Sequence, residues 1–256
     1  MARVVVVSGG GTGIGRAVAR RFAADGDRVL LVGRREAVLR EAAEALAADG
    51  DVCGEIRTLA ADLTVPEEAQ RVRDETGRRY GRVDVLVNNA GGNAELSSDE
   101  GKVPGGLAGV ARQWRSNFDA NVLTAVLLTE ALGDLLQEPG RRVVLVSSIA
   151  AYRGSGTGSY AAAKAALHPF AYDMAGRLGP HGATVNAVAP GYIEQTDFFG
   201  GRMTEERRRM LIGQTVTGRV GTPADVAETV HWLASPGAQH VTGQIVQVNG
   251  GARYGN

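Results

Sequence analysis

The chain alternates between short apolar runs and longer stretches in which apolar residues recur every three or four positions. Runs at 3–8, 28–32, 56–60, 83–88, 142–147, 183–189 and 245–248 are short and β-branched or aliphatic, most of them with valine. Several, such as Val4-Val5-Val6-Val7 and Val143-Val144-Leu145-Val146, are unbroken by any polar residue. Such runs predict strands covered on both faces, the condition of a parallel sheet; a half-exposed antiparallel strand would alternate. Between them, the helical period predicts helices over about 13–25, 35–48, 66–79, 108–137, 158–178 and 223–234. Strand–helix alternation along the whole length implies βαβ units with right-handed crossovers, hence an α/β fold with a doubly wound parallel sheet of about seven strands and helices on both faces. No repeat, low-complexity tract or Pro/Ser-rich linker divides residues 1–256, so one domain is expected.

Two connections are longer than such units need: 91–109, and 191–202 ahead of a short helix near 204–213. Both follow a strand and so belong at the carboxyl edge of the sheet, where open α/β sheets bind ligands. Composition narrows the partners. Lys plus Arg and Asp plus Glu both number 28, and the resulting zero net charge argues against a nucleic-acid groove or a polybasic membrane patch. The single cysteine, Cys53, excludes an internal disulfide or multi-cysteine metal site and fits a reducing compartment. His168, His181, His231 and His240 have no metal-ligand spacing, so no metal is expected. No run reaches the ~18 apolar residues of a membrane span, and a soluble cytoplasmic protein is the expectation.

The first strand leads into Ser8-Gly9-Gly10-Gly11-Thr12-Gly13-Ile14-Gly15 and then a helix. Glycines there let backbone N–H groups approach a pyrophosphate at the helix N-terminus, although a plain βα turn has similar composition. No Gly-Lys-Ser/Thr follows, which excludes a P-loop. Farther on, Tyr160 and Lys164 stand four residues apart, on one face of a predicted helix. A nearby ammonium favours a tyrosine's phenolate and brings it toward useful acid–base chemistry. Lys164 and Lys102 are the only lysines, against 26 arginines, so a compact point charge is kept where the chain otherwise uses guanidinium. The plainer alternative is a packed tyrosine beside a solvated lysine.

Taken together, these segments resemble the short-chain dehydrogenase/reductase family, including its 3-oxoacyl carrier-protein reductase-like members. The opening Thr-Gly-x-x-x-Gly-x-Gly matches 8–15 with Ser8 for threonine. Asn88-Asn89-Ala90-Gly91 follows the fourth strand, Tyr160-x-x-x-Lys164 matches the Tyr/Lys motif, Pro190-Gly191 follows the sixth strand, and Asn249-Gly250-Gly251 ends the last. The resemblance implies a Rossmann-like fold, a homotetramer, and a ketoreductase that passes hydride between a nicotinamide cofactor and a small carbonyl or alcohol substrate. It implies Tyr160 as general acid/base and Lys164 as its electrostatic partner. A serine would bind the carbonyl, Ser148 by alignment with Ser147 the fallback, and Asn121 would hold a relay water unless it is simply a satisfied helix residue. It also implies cofactor contacts from Gly9, Gly11, Thr12, Gly13, Ile14, Gly15, Asp62, Leu63, Asn89, Ala90, Gly91, Tyr160, Lys164, Pro190, Gly191, Ile193 and Thr196. For Asp62 or Thr64 a helix N-cap is the competing role.

In that framework, cofactor choice rests on Gly33-Arg34-Arg35 at the end of the second strand. An acidic residue there would bind the ribose 2′-OH of NAD; glycine followed by Arg34 and Arg35 favours NADP(H) over NAD(H). Both arginines could instead be surface charges paired with Glu36 or Glu41. Thr12 stands where many NADP-dependent relatives have a second basic residue. Phe198 and Phe199 are candidates to close over substrate, with anchoring of the short helix as their alternative. Pro169 inside the Tyr/Lys helix predicts a kink or local adjustment. A non-catalytic NADP-binding sensor or scaffold is the other functional class compatible with the glycine turn.

Overall fold

The computed structural model describes residues 2–97, 106–199 and 202–255; Lys102 and the middle of the 91–109 connection lie outside them. Seven strands form a single sheet: β1 (Val4–Ser8), β2 (Arg28–Gly33), β3 (Ile56–Ala60), β4 (Val85–Asn88), β5 (Arg142–Val146), β6 (Thr184–Pro190) and β7 (Ile245–Val248). Their order is β3-β2-β1-β4-β5-β6-β7, and every pairing is parallel. Each strand lies within two residues of its predicted run. The helices are α1 (Gly13–Ala24), α2 (Glu36–Ala47), α3 (Pro66–Tyr80), α4 (Ala94–Ser97), α5 (Gly106–Phe118), α6 (Thr124–Ala131), α7 (Ala150–Arg153), α8 (Gly158–Leu178), α9 (Glu205–Gly213) and α10 (Pro223–Leu233).

The unbroken valine runs are explained by two cores, one on each face. Alternate side chains of a strand point to opposite faces. Val6 of β1 joins Leu30, Leu86 and residues of α3, α6 and α8 such as Val72, Leu128 and Leu167. Val5 and Val7 join Phe22, Leu39 and Val230 of α1, α2 and α10 on the other face. Burying each Val, Leu or Phe contributes about 1.5–3 kcal/mol, so both faces select apolar residues along most of the central strands β1, β4 and β5.

One expectation about the helices needs correction. The single helix expected over 108–137 is divided: α5 runs into a π-helical turn at Asp119–Leu123, then α6, then a 3₁₀ turn at Gly133–Leu136. The helix expected over 158–178 is α8, which continues through Pro169. That proline is exposed, so the carbonyl deprived of its helical N–H partner can turn toward water.

Strand order reverses between β1 and β4, which makes the crevice beyond their carboxyl ends the switch point of the fold. Every segment singled out for chemistry in the sequence begins at, or packs against, this edge.

Candidate active site

The crevice is stitched by Ser8 and Asn89. Ser8 Oγ accepts from the backbone N–H of Asn89 at 3.0 Å and of Ala90 at 2.9 Å, and Asn89 Nδ2 donates to the carbonyls of Ser8 and Gly9 at 3.0 and 3.1 Å. The hydroxyl that replaces the family threonine therefore ties the two loops at the switch point. Gly9 has φ +63°, a conformation that favours glycine. A Cβ at Gly15 would lie 2.2 Å from the Gly9 carbonyl, so only glycine lets α1 begin this close to the turn. Thr12 occupies the N-cap position of α1 without a side-chain cap. Thr196 reaches this turn from the loop after β6: a Cβ on Gly13 would sit 3.1 Å from its methyl. The preceding residue, Gln195, has φ +58°, unusual for a non-glycine residue, and makes the bend that brings Thr196 back. Ile193 is buried and forms an isolated bridge with Gly221, and Gly191 packs against Asn249.

Tyr160 and Lys164 are both buried in the first turns of α8, 6% and 4% exposed. Burial pushes the phenol up to about 12, opposed by a hydrogen bond with Ser148, and pushes the ammonium down to about 8. Lys164 Nζ donates to the Val146 carbonyl at 2.8 Å. It also lies close to the loop after β4, since a Cβ on Gly91 would be 3.0 Å from it.

The two serines after β5 part company. Ser147 is buried; its Oγ donates to the Lys164 carbonyl at 3.0 Å and lies 2.9 Å from His168 Nε2. With its proton committed to the carbonyl, Ser147 accepts from a neutral His168 protonated on Nε2. Burial and the Arg253 charge hold the histidine below its ordinary pKa, which agrees with that form. Ser148 instead lines the cavity with Tyr160, its Oγ also accepting from the Ala150 N–H at 3.1 Å. The geometry therefore brings Ser148, not Ser147, to the phenol.

Asn121 is fully buried within the π turn. Its Oδ1 accepts from the Gly92 N–H at 3.1 Å, and its Nδ2 donates to the carbonyls of Gly92 and Asn117, both at 2.8 Å. Both amide donors are thus used, leaving one acceptor lone pair for a water. Asn117, one turn earlier and also fully buried, accepts from the Ala94 N–H at 3.1 Å and donates to Ser159 Oγ at 2.9 Å. The two asparagines hold the loop after β4 and the start of α8 in fixed relation.

A cavity of about 400 Å³ opens beside Tyr160 and Ser148. Phe198, on a 3₁₀ turn at Asp197–Phe199, lies 5.4 Å from the Tyr160 ring, and Phe199 packs edge-on against both Phe198 and Tyr192. A wider hollow of about 570 Å³ lies at Phe170, Asp173 and Arg177, on the outer side of α8, but there Arg177 is paired with Glu130. At the other end of the crevice, Arg34 and Arg35 are exposed and form no salt bridge among the described residues, so the expected alternative pairing with Glu36 or Glu41 is absent. Arg34 contributes to holding the Asp62 carboxyl below its ordinary range, after the larger effect of bonds from the Thr64 hydroxyl and N–H. Asp62 closes that turn and does not cap α3, whose N-cap is Val65. Leu63 is buried in the core, leaving only its backbone for a ligand.

Comparison with known proteins agrees with this arrangement. Residues 9–253 match a family model described as enoyl-(acyl carrier protein) reductase. Short-chain reductase protein NovJ of Streptomyces niveus is 34% identical over 254 residues, covering 97% of this chain and 93% of its own length. The 3-oxoacyl-[acyl-carrier-protein] reductase FabG of Vibrio cholerae is 32% identical, covering 97% and 96%. A solved short-chain type dehydrogenase/reductase from Mycobacterium ulcerans has a TM-score of 0.85 at 30% identity, covering 98% of this chain and 89% of that one. The chain belongs to the short-chain dehydrogenase/reductase family. It is an oxidoreductase with that family's Rossmann-like fold, and no helix among the described residues is long and apolar enough to cross a membrane.

Within this short-chain dehydrogenase/reductase, some residues around the site escape motif reading. His168 lies one turn beyond Lys164 on the same helix face, and Asn117 one turn before Asn121; in both cases the four-residue spacing was the available signal. Arg153 on α7 and Arg207 on α9 line the cavity but fall in segments that read as ordinary charged surface.

Proposed function

We propose that the protein is an NADP(H)-dependent oxidoreductase that interconverts a ketone and a secondary alcohol, with Tyr160 as general acid and base. The observation that carries this reading is the convergence of the Tyr160 phenol and the Ser148 hydroxyl at one end of a 400 Å³ cavity, one helical turn before a buried Lys164.

The residues present fit a dinucleotide. The glycine turn leaves backbone N–H groups of the α1 N-terminus open to a pyrophosphate, Asp62 and the Asn89–Gly91 loop flank the crevice, and unpaired Arg34 and Arg35 stand where a 2′-phosphate would need cations. When bound, the reduced nicotinamide supplies the hydride. Ser148 would donate to the substrate oxygen as negative charge develops on it, and Tyr160 would transfer its proton to that oxygen, leaving a phenolate. A phenol that keeps its proton to about pH 12 suits the acid role. The reverse reaction needs the phenolate, which a positive charge on Lys164 favours. Asn121 and Asn117 would act as positioning residues, with the free lone pair of Asn121 Oδ1 open to a relay water.

The matched model's description names reduction of an enoyl group, whereas the FabG relatives are named for a 3-oxoacyl group. Two hydroxyl donors converging on one point favour protonation of a carbonyl oxygen, and hence the ketone. An intact Tyr160, Lys164 and Ser148 set weighs against the non-catalytic sensor or scaffold. The reading includes a cytoplasmic homotetramer, for which exposed Val110, Trp114, Tyr172 and Trp232 offer apolar contact. Following NADPH and NADH oxidation across matched ketones and enones tests the proposal. Turnover of ketones with NADPH supports it; turnover confined to enones, or to none, overturns it.

A further inference from the structure

We propose that the substrate carries an anionic group, a carboxylate or a phosphate, held by Arg153 and Arg207 in the cavity that Tyr160 also lines. This rests on the ketoreductase reading above. Both guanidiniums line the cavity, and among the described residues no acidic one does. Arg153 Nη1 donates to Gln214 Oε1 at 2.9 Å, which leaves its other donors available. Arg207 lies with its Cζ 5.5 Å from the centre of the Phe199 ring. Neither forms a salt bridge among the described residues, although the neighbouring Arg208 pairs with Glu194 at 3.1 Å. In a chain of 28 acidic and 28 basic residues, two cations that face one cavity and have no acidic partner among the described residues call for a partner from outside the chain.

Position sets the polarity of that partner. From the Tyr160 ring the wall runs to Phe198 at 5.4 Å, then Phe199 at 4.9 Å, then Arg207 at 5.5 Å. The proton donor and the Arg207 guanidinium are thus linked through two aromatic rings, so the substrate has its carbonyl at the phenol, an apolar part against the rings and negative charge at the arginines. Guanidinium forks match carboxylate and phosphate oxygens, and an apolar wall that excludes water strengthens the attraction. The charge could be the carboxylate of a free oxo acid or the phosphate of a thioester-bearing arm; the recognising chemistry is the same.

Two matched pairs separate these sources: a 3-oxo fatty acid against its methyl ester, and a 3-oxoacyl phosphopantetheine thioester against the pantetheine thioester. For wild type, the ratio of kcat/KM for the anionic member to that for the neutral one should exceed ~10 at low salt in at least one pair. The pair that discriminates names the source. Arg153→Gln and Arg207→Gln should each lower that ratio ~tenfold, mainly through KM, Arg207→Glu should invert it, and added salt should compress it. A wild-type ratio near one in both pairs, or a ratio the arginine variants leave unmoved, overturns the proposal while the ketoreductase reading stands. No turnover of any member with either cofactor overturns both.

Discussion

The ring of Phe198 lies 5.4 Å from that of Tyr160, inclined at 57°, and it is one wall of the cavity in which the phenol and the Ser148 hydroxyl meet. Phe198 remains half-buried, while Phe199 behind it is held by Tyr192 and capped by Arg207. An aromatic contact of this kind contributes about 0.5–1.5 kcal/mol beyond its area. If Phe198 meets substrate, Phe198→Ala should raise KM roughly three- to tenfold for a good ketone substrate and alter the ranking of substrates. Melting temperature should fall by only a few degrees. A large loss of stability with unchanged substrate ranking would assign Phe198 to anchoring of the loop alone.

Tyr160→Phe removes the proton and keeps the ring, including its contact with Phe198. Activity should fall by the 10²–10⁴ that a lost general acid typically costs, while NADPH affinity measured by fluorescence titration stays within a few-fold of wild type. Near-normal turnover by this variant would falsify the acid–base assignment.

The strands were legible in the sequence because both faces of a parallel sheet are covered, so runs such as Val4–Val7 exclude polar residues whatever the register. The glycine turn and Tyr160/Lys164 were legible because close backbone approach and helical spacing each constrain residue type. The π turn was not. Asp119-Ala120-Asn121-Val122 has ordinary helical composition, and the turn is recognised only once Asn121 is seen bonded to Gly92, 29 residues away in the chain. The adjacent serines were equally ambiguous, because their roles are separated by His168 on another element. Arg153 and Arg207 gave no signal at all, since an arginine facing a cavity and one facing water look alike until the cavity is built.

That serine pair offers a direct contrast. Ser148→Ala should lower kcat by about 10²–10³ if its hydroxyl donates to the developing oxyanion, with little change in stability. Ser147→Ala should leave the half-buried His168 Nε2–H without its acceptor, at a cost of about 1–3 kcal/mol, or a fall in Tm of several degrees, with KM close to wild type. Parallel kinetics and thermal melts on the two variants separate the roles; a reversed pattern would return the carbonyl contact to Ser147.

Cofactor choice can be inverted at the end of β2. Charge-assisted hydrogen bonds from Arg34 to a 2′-phosphate, at about 1.5–3 kcal/mol before allowance for its exposure, should favour NADP(H) over NAD(H) by roughly tenfold to a hundredfold. A Cβ at Gly33 would meet Leu39 Cδ2 at 3.6 Å, an ordinary contact, so aspartate fits there without displacing the strand. Gly33→Asp combined with Arg34→Ile should therefore prefer NADH, since the new carboxylate repels a phosphate and accepts from a free 2′-hydroxyl. Titrating both reduced cofactors into wild type and double variant measures this, and tighter NADH binding by the wild type rejects the assignment.

In the proposed mechanism, Lys164 links catalysis to stability through pH. Its folded-state pKa of about 8 lies below the ordinary 10.5 because the ammonium is buried. Below pH 8 both folded and unfolded chains carry the charge, and burying it costs the fold about 3 kcal/mol. Between pH 8 and 10.5 the unfolded chain binds more protons at this site than the folded one, so stability rises with pH across that window. Lys164→Met abolishes this site's titration, although it also removes the donor to the Val146 carbonyl and so changes the absolute stability. The informative quantity is the difference between the two proteins. From pH 8 to 10, wild type should gain roughly 2 kcal/mol relative to Lys164→Met in urea unfolding. Tyr160 acts in the opposite sense, its phenol raised from 10.0 to about 12, so stability from that group declines only above pH 10, beyond the range compared. Parallel stability–pH curves for the two proteins between pH 8 and 10 would mean that the Lys164 ammonium is solvated or paired in the folded protein, and that a buried charge is not what this site supplies to Tyr160.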